Sequence, residues 1–179
     1  MTNHEKLSSP AAHDVPEKKQ TTLGLYVTAA EAHEMWKADP DRVNIIDVRT
    51  PEEYIFVGHA EMARNIPLAF VEYQWDAEKD EPVVRPNPDF ISRVKELFAP
   101  TDTLLMICRS GGRSAWAVSA LAQAGFANVY NVIDGTEGDI VAEEGSVYLG
   151  KRMKNGWKNS GSPWTYDCDS GLLWTDEDR

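Results

Sequence analysis

A cysteine followed by two arginines gives this sequence its clearest chemical potential. Cys108 stands directly before Arg109, and four residues separate it from Arg113. A thiolate is a strong nucleophile, and guanidinium groups bind tetrahedral oxyanions through paired N–H donors. The combination predicts a nucleophilic cysteine in an anion-binding loop. A buried structural cysteine at the end of a strand is the alternative, and it leaves both arginines unexplained.

The segments on either side of Cys108 predict a strand, a tight loop and a helix. The apolar run from Leu104 to Ile107 is too short for a helix and indicates a strand that is covered on both faces. A helical pattern follows from Gly112 to Ala124. Gly111 and Gly112 allow the backbone to curl with its N–H groups pointing inward. These N–H groups, the helix N-terminus and the arginines all favour a thiolate over a thiol.

The loop Cys108-Arg-Ser-Gly-Gly-Arg113-Ser114 resembles the active-site loop of the rhodanese (thiosulfate sulfurtransferase) family. Further segments resemble the family in the same order along the chain, namely Ile45 to Tyr54, Gly58-His59-Ala60 and Asn65 to Leu68. Together they cover about residues 25 to 140. The resemblance implies a single-domain, rhodanese-like α/β fold. This is a three-layer sandwich whose central, mostly parallel sheet has helices on both faces.

Sulfur transfer is the activity that the resemblance implies. The Cys108 thiolate attacks the outer sulfur of a donor such as thiosulfate, releases sulfite and keeps the sulfur as a persulfide. A thiophilic acceptor, which is cyanide, a thiol or a protein, then removes it. The resemblance implies an enzyme of the thiosulfate:cyanide sulfurtransferase type, which is expected to need no metal or organic cofactor. The residues expected to bind the substrate are Arg109, Ser110, Gly111, Gly112, Arg113 and Ser114.

The two arginines are not equal candidates for the sulfonate group of the donor. Arg109 is preferred at the mouth of the site, because Arg113 has the alternative of turning outward to pair with an acidic side chain. Asp47 and Arg49 end the predicted strand from Val43 to Val48. We expect them to form an ion pair or a turn cap that supports the site. His59, between Gly58 and Ala60, is expected to hydrogen-bond to the backbone and to have no catalytic role.

Two other functions compete with sulfur transfer. Cysteine-dependent phosphatases of the same fold also hold a thiolate in a ring of N–H groups, but their loops place five residues between cysteine and arginine, against four here. A shorter loop suits one sulfur atom better than a phosphoryl group. No aspartate is placed as an obvious general acid. The second alternative is a non-catalytic binding module, although inactive members of the fold often lack the cysteine that this chain has.

Four features lie outside the core pattern. Leu68 to Arg85 is predicted to be an irregular loop that either shapes the entrance of the site or lies in solvent. Asp134 to Glu144 is acidic, departs from the family's usual glycine pair, and is interpreted as an insertion. Trp157 and Trp164 are expected to pack on the domain and close its core. Cys168, among acidic neighbours, is expected to be a surface thiol, and resolving a persulfide on Cys108 is the alternative.

Length and charge limit the organisation and the partners. The 179 residues predict one domain over residues 23–166, with a flexible polar tail over 1–22 and an acidic tail over 167–179. A net charge of −11 argues against nucleic acid and anionic membranes as partners and leaves a small anionic sulfur donor possible. The N-terminal segment lacks the apolar run of a signal peptide, and only two cysteines are present. These features are typical of a reducing cytoplasm.

Overall fold

Five parallel strands form the centre of the structure, a computed structural model that describes residues 14–175. The helices are α1 (Ala29–Ala38), α2 (Pro51–Val57), α3 (Phe90–Leu97) and α4 (Gly112–Gln123). The strands are β1 (Tyr26–Val27), β2 (Val43–Asp47), β3 (His59–Ala60), β4 (Arg64–Asn65), β5 (Ala69–Asp76), β6 (Glu81–Pro86), β7 (Thr103–Ile107), β8 (Val129–Val132) and β9 (Trp164–Thr165). The central sheet has the order β1-β8-β7-β2-β4, and every pairing in it is parallel.

The central strand β7 contributes to two hydrophobic cores, one on each face of the sheet. Leu104 and Met106 pack with residues of α3 and α4 on one face. Leu105 and Ile107 pack with residues of α1 on the other. Successive side chains of a strand point to opposite faces, so an unbroken apolar run is what a strand buried on both sides requires. The α/β sandwich expected from the sequence is confirmed.

Capping residues set where α1 and α2 begin. Thr28 accepts the backbone N–H of Glu31, and the Glu31 carboxylate accepts the backbone N–H of Thr28. Thr50 and Glu53 form the same reciprocal pair at the start of α2, where proline occupies the first turn. Each pair satisfies donors that a helix start leaves without intrahelical partners. The second cap also fixes Glu53 next to the functional site.

The segment from Leu68 to Arg85 is a β-hairpin, so the prediction of an irregular loop was wrong. Strands β5 and β6 pair in antiparallel orientation as a separate two-stranded sheet. Val71, Tyr73 and Trp75 alternate with more polar residues, and this period of two is the signal of a strand. The turn between the strands carries the charged residues Glu78, Lys79 and Asp80, which give this part of the segment the composition of a loop.

The segments predicted to be tails pack on the domain where the structure describes them. Val15 and Lys19 are buried, and the Lys19 ammonium lies 2.8 Å from a carboxylate oxygen of Asp139. At the other end, Trp174 joins the core and contacts Phe70. Each segment contains an apolar residue whose burial stabilises its packing on the domain. The prediction of flexible tails rested on overall composition and did not take these single residues into account. The parts of both predicted tails in residues 1–13 and 176–179 lie outside the described residues.

Two tryptophans after the central sheet close the second core, as expected. Trp157 is fully buried in the core on the α1 face, and Trp164 packs against the same core. Residues Trp164–Thr165 form β9, which pairs with β3. Within residues 14–175, no helix has the length and apolar character needed to cross a membrane.

Candidate active site

Cys108 lies immediately after β7, at the carboxyl edge of the central sheet, with 2% of its surface exposed. Its Sγ atom accepts the backbone N–H of Gly111 at 3.2 Å and lies 3.3 Å from Ser114 Oγ. We call residues 108–114 the active-site loop. Gly111 has φ of 93°, and a Cβ atom there would lie 2.2 Å from the carbonyl oxygen of Ile133. Only glycine fits this turn, which aims its N–H at the sulfur.

Asn131, in strand β8, orients the hydroxyl group that contacts the sulfur. Its amide Nδ2 donates to the carbonyl oxygens of Lys19 at 2.9 Å and Gly111 at 3.0 Å. Because both amide hydrogens are used, Oδ1 faces Ser114 Oγ, which lies 2.7 Å away. Sequence reasoning missed Asn131. An amide between Tyr130 and Val132 in a short buried strand was the available signal, since buried polar side chains are normally paired.

The chain after β8 supports the outside of the active-site loop, and we call residues 133–137 the bracing segment. The backbone N–H and the hydroxyl of Thr136 both donate to the carbonyl oxygen of Cys108, at 2.8 and 3.0 Å. The backbone N–H of Glu137 donates to the carbonyl of Arg109 at 3.0 Å. A Cβ atom at Gly135 would lie 2.4 Å from the Cys108 carbonyl oxygen. Part of the predicted acidic insertion is therefore support for the site.

Asp134 anchors the bracing segment through two backbone N–H groups. Its Oδ1 accepts from Ala29 at 2.7 Å, and its Oδ2 accepts from Gly156 at 3.0 Å. Burial raises the pKa of Asp134 above its ordinary value, although these hydrogen bonds act in the opposite direction. Asp134 thus ties the start of α1 and the segment before Trp157 to the functional site.

The two arginines of the loop have different environments. Arg109 is exposed. Arg113 forms two hydrogen bonds of 2.6 Å with the carboxylate of Glu53, so it takes the acid-paired arrangement that the sequence left as an alternative. Burial acts to lower the pKa of Arg113, but Glu53 raises it above the ordinary value overall. Burial acts to raise the pKa of Glu53, but Arg113 lowers it overall.

Asp47 and Arg49 form a buried ion pair beside the active-site loop. Arg49 Nη2 lies 2.6 Å from Asp47 Oδ2, and Arg49 also donates to the carbonyl of Gly58 at 2.8 Å. Burial acts to lower the pKa of Arg49, but the adjacent Asp47 raises it overall. Val48, between the two, donates its N–H to the carbonyl of Ile107 at 2.9 Å. The ion pair expected from the sequence is present, and it lies directly against the strand that carries Cys108.

The remaining candidates have other surroundings. The His59 ring stacks on Tyr54 with 3.6 Å between centroids, and Nδ1 lies 2.9 Å from the Tyr54 carbonyl oxygen, as expected for a structural histidine. Cys168 is exposed, and both cysteines are free thiols. Across residues 14–175, no group of three or more acidic, histidine or cysteine side chains is arranged to hold a metal ion.

Together, the parallel sheet, the cysteine at its carboxyl edge and the glycine-shaped loop define a class of α/β proteins with a buried cysteine at the start of a tight loop. The Rhodanese-like domain family matches residues 28–139. The chain belongs to this family.

Relatives of known sequence and structure agree with the family match. The chain is 37% identical over 90 residues to thiosulfate sulfurtransferase 16, chloroplastic, of Arabidopsis thaliana, which covers 50% of this chain and 68% of that protein. It is 26% identical over 140 residues to an uncharacterized protein of Rickettsia conorii, covering 78% and 96% of the two chains. The crystal structure of Rv0390 from M. tuberculosis superposes with a TM-score of 0.60 at 27% identity, covering 79% of this chain and 96% of that one.

Proposed function

We propose that this protein is a sulfurtransferase that carries a sulfane sulfur on Cys108. The observation that carries the proposal is the Gly111 N–H, which donates to the sulfur at 3.2 Å, with the Ser114 hydroxyl held 3.3 Å from the same atom. Both groups are positioned before any substrate arrives, as groups that stabilise a developing anion must be. The thiosulfate sulfurtransferase among the relatives supports this reading.

The reaction proceeds in two half-reactions. The Cys108 thiolate attacks the outer sulfur of thiosulfate, a bond forms between Sγ and that sulfur, and the sulfur–sulfur bond of the donor breaks. Sulfite leaves with the bonding electron pair, and the negative charge stays on the outer sulfur of the persulfide. A thiol, cyanide or a protein thiol then attacks this outer sulfur, and the Cys108 thiolate is regenerated.

Each residue of the loop has a part in this scheme. The Gly111 N–H stabilises the negative charge on sulfur, and the Ser114 hydroxyl turns towards that charge as it forms. The other backbone N–H groups from Ser110 to Arg113 are the further donors proposed for the persulfide. Arg109, which is exposed, binds the sulfonate end of the donor. Arg113 supplies positive potential while its guanidinium stays paired with Glu53. Asp47 and Arg49 hold the neighbouring strand end in place.

The proposed chemistry requires a free thiol at Cys108 and therefore a reducing compartment, such as the cytoplasm. The net charge of −11 slows the approach of an anionic donor without preventing its binding. The field at the sulfur is dominated by the nearby N–H groups and the loop arginines, because bulk salt screens distant charges.

Intact-mass measurement after incubation with thiosulfate tests the proposal. The wild-type protein is expected to gain one sulfur atom, and added cyanide is expected to remove it as thiocyanate. Cys108→Ser is expected to gain none. Cys168→Ser is the matched control, because it removes the other, exposed thiol, and it is expected to behave as the wild type.

A generic aryl phosphate assayed with the same proteins separates the alternatives. Phosphate release that depends on Cys108, without any gain of sulfur, would replace the sulfurtransferase proposal with a phosphatase. A sulfur atom that is retained in Cys108→Ser would remove Cys108 from the mechanism.

A further inference from the structure

The hairpin of β5 and β6 carries large apolar side chains in solvent. Along β5, Val71 and Trp75 are 50% and 61% exposed, and Tyr73 between them is fully exposed. In β6, Val84 lies opposite Val71 and is 57% exposed. Successive side chains of a strand alternate between the two faces, so these four residues share one face of the hairpin. A contiguous exposed apolar face of this kind is typical of an interaction surface.

Strand β5 also has an open edge. Within residues 14–175 it pairs with β6 alone, in a two-stranded sheet that is separate from the central one. The register shifts between Val71 and Trp75, so the three residues between them have no residue directly opposite in β6. A two-stranded sheet is marginally stable by itself, and the N–H and C=O groups of an edge strand are a template for pairing with a further strand.

The two edges of the hairpin differ in what they can accept. Strand β6 includes Pro82 and Pro86, which have no N–H to donate, whereas the eight residues of β5 contain no proline. The carboxylate of Glu72 in β5 would repel an acidic strand, but it already pairs with Arg85 at 2.8 Å. A further strand is therefore expected beside β5.

The sequence of β5 is complementary to a second copy of itself. Directly opposite residues of an antiparallel pair share a face. If Tyr73 lies opposite the partner's Tyr73, then Val71 lies opposite Trp75 and Glu72 lies opposite Gln74. A shift by one residue would place Val71 opposite Gln74 and mix the two faces, and centring the pair on Glu72 would oppose two carboxylates. The alternation therefore favours the register centred on Tyr73.

We propose that two copies of this chain associate through β5, which pairs antiparallel with the partner's β5 across a two-fold axis at Tyr73. The two hairpins then form one sheet with an isologous interface, the usual arrangement of homodimers. Tyr73 and Trp75 of both copies together offer on the order of 1,000 Å² of side-chain surface. This area is at the lower limit for specific interfaces, so the expected dissociation constant is about 10–100 μM. Dilute samples are then single chains, and their unfolding measures the stability of one chain.

Sedimentation velocity between about 5 and 500 μM protein tests the association, because this range spans the expected dissociation constant. The wild type is expected to shift from one chain to two. Tyr73→Lys opposes two ammonium groups at the axis and is expected to raise the dissociation constant at least about tenfold. Tyr166→Lys is the matched control, because Tyr166 is 64% exposed and lies outside the hairpin. It is expected to associate as the wild type does.

A wild type that stays a single chain throughout this range would overturn the proposal and leave the apolar face to a different protein. Association that persists in Tyr73→Lys, or that is lost equally in Tyr166→Lys, would overturn the assignment to β5.

Cysteine cross-linking tests the register in a Cys168→Ser background, which removes the exposed native thiol. Oxidised glutathione accepts the two electrons and two protons as a disulfide forms between the copies. Tyr73→Cys is expected to cross-link with itself, because opposite Cβ atoms lie about 4.5–5.5 Å apart. Val71→Cys and Trp75→Cys, mixed with tags of different length, are expected to cross-link with each other. Preferential cross-linking of Val71→Cys with itself, or none in Tyr73→Cys, would overturn the proposed pairing.

Discussion

At the scale of single residues, the sulfur of Cys108 depends on hydrogen bonds more than on a direct ion pair. The groups next to the sulfur are the Gly111 N–H and the Ser114 hydroxyl, whereas the guanidinium group of Arg113 is paired with the carboxylate of Glu53. Ser114 has one hydroxyl hydrogen and two acceptors, Asn131 Oδ1 at 2.7 Å and Sγ at 3.3 Å. The shorter contact places the hydroxyl hydrogen on the amide in the resting state, so Asn131 holds Ser114 Oγ beside Sγ, and the hydrogen turns to the sulfur as negative charge forms there.

We predict that Ser114→Ala and Asn131→Leu each slow persulfide formation and that their effects are not additive. Both substitutions break the same hydrogen bond, so the double variant is expected to lose less than the product of the two single losses. A double-mutant cycle on the rate with thiosulfate should give a coupling of about 0.5 kcal/mol or more. Ser114→Thr, which keeps a hydroxyl, is expected to retain most of the rate.

Stability measurements separate this positioning role from a folding defect. Asn131→Leu also leaves the buried carbonyls of Lys19 and Gly111 without their donor, which is expected to cost about 1–3 kcal/mol of unfolding free energy. Ser114→Ala leaves those two bonds intact. Rates that multiply independently in the double variant would show that Asn131 acts only on stability.

At the scale of elements, α2 and α4 are joined at the site by the bonds between Glu53 and Arg113. The capping box with Thr50 orients Glu53, and the active-site loop places Arg113 in the first turn of α4. The pKa of Glu53 is lower than its ordinary value of 4.5 in the folded protein. A carboxyl group with a lowered pKa stabilises the fold at pH values above its ordinary pKa. This stabilisation disappears as the pH falls through the pKa of the folded state.

We predict that Glu53→Gln removes this pH dependence. At neutral pH the variant is expected to be less stable than the wild type by about 1 kcal/mol. This value is at the upper end of what partly exposed ion pairs contribute to stability. The difference in stability should shrink as the pH falls below 4.5, since the wild-type carboxyl group then becomes protonated and, like the glutamine, carries no charge. Urea unfolding from pH 7 to 3 measures it, with the exposed Glu52→Gln of the same helix as control. A difference that is constant over this range would contradict the prediction.

The elements show how far sequence reasoning reaches. Strand β7, helix α4 and both capping boxes follow from apolar runs, glycines and threonine–glutamate spacing, which are local signals. The roles of Asn131 and Thr136 do not follow from local signals, because their hydrogen-bond partners lie 17 to 112 positions away along the chain. The hairpin was overlooked because its charged turn outweighed the alternation in β5. Contacts between distant parts of the chain depend on tertiary packing. They cannot be predicted from the residues that lie next to each partner in the sequence.

At the scale of the whole molecule, both ends of the described chain hold the site elements together. Asn131 binds the carbonyl of Lys19, and Lys19 pairs with Asp139, so residues 14–20 lie against the loop side of the domain. The other end returns beside β4, where the N–H of Asn65 donates to the carbonyl of Leu172 at 2.8 Å. Packed residues of the described chain therefore lie beyond residues 23–166 in both directions.

We predict that Trp174→Ala destabilises the whole domain although Trp174 lies far along the chain from the active-site loop. Its side chain is 5% exposed and packs in the core shared by β7, α3 and α4, so its removal leaves a cavity there. The expected loss is about 3 kcal/mol of unfolding free energy, measured by urea denaturation. Trp75→Ala is the matched control, because Trp75 is 61% exposed on the hairpin, and it is expected to change stability by less than about 0.5 kcal/mol. Equal effects of the two substitutions would mean that the C-terminal segment is not part of the folded core, and the domain would then end where β9 does.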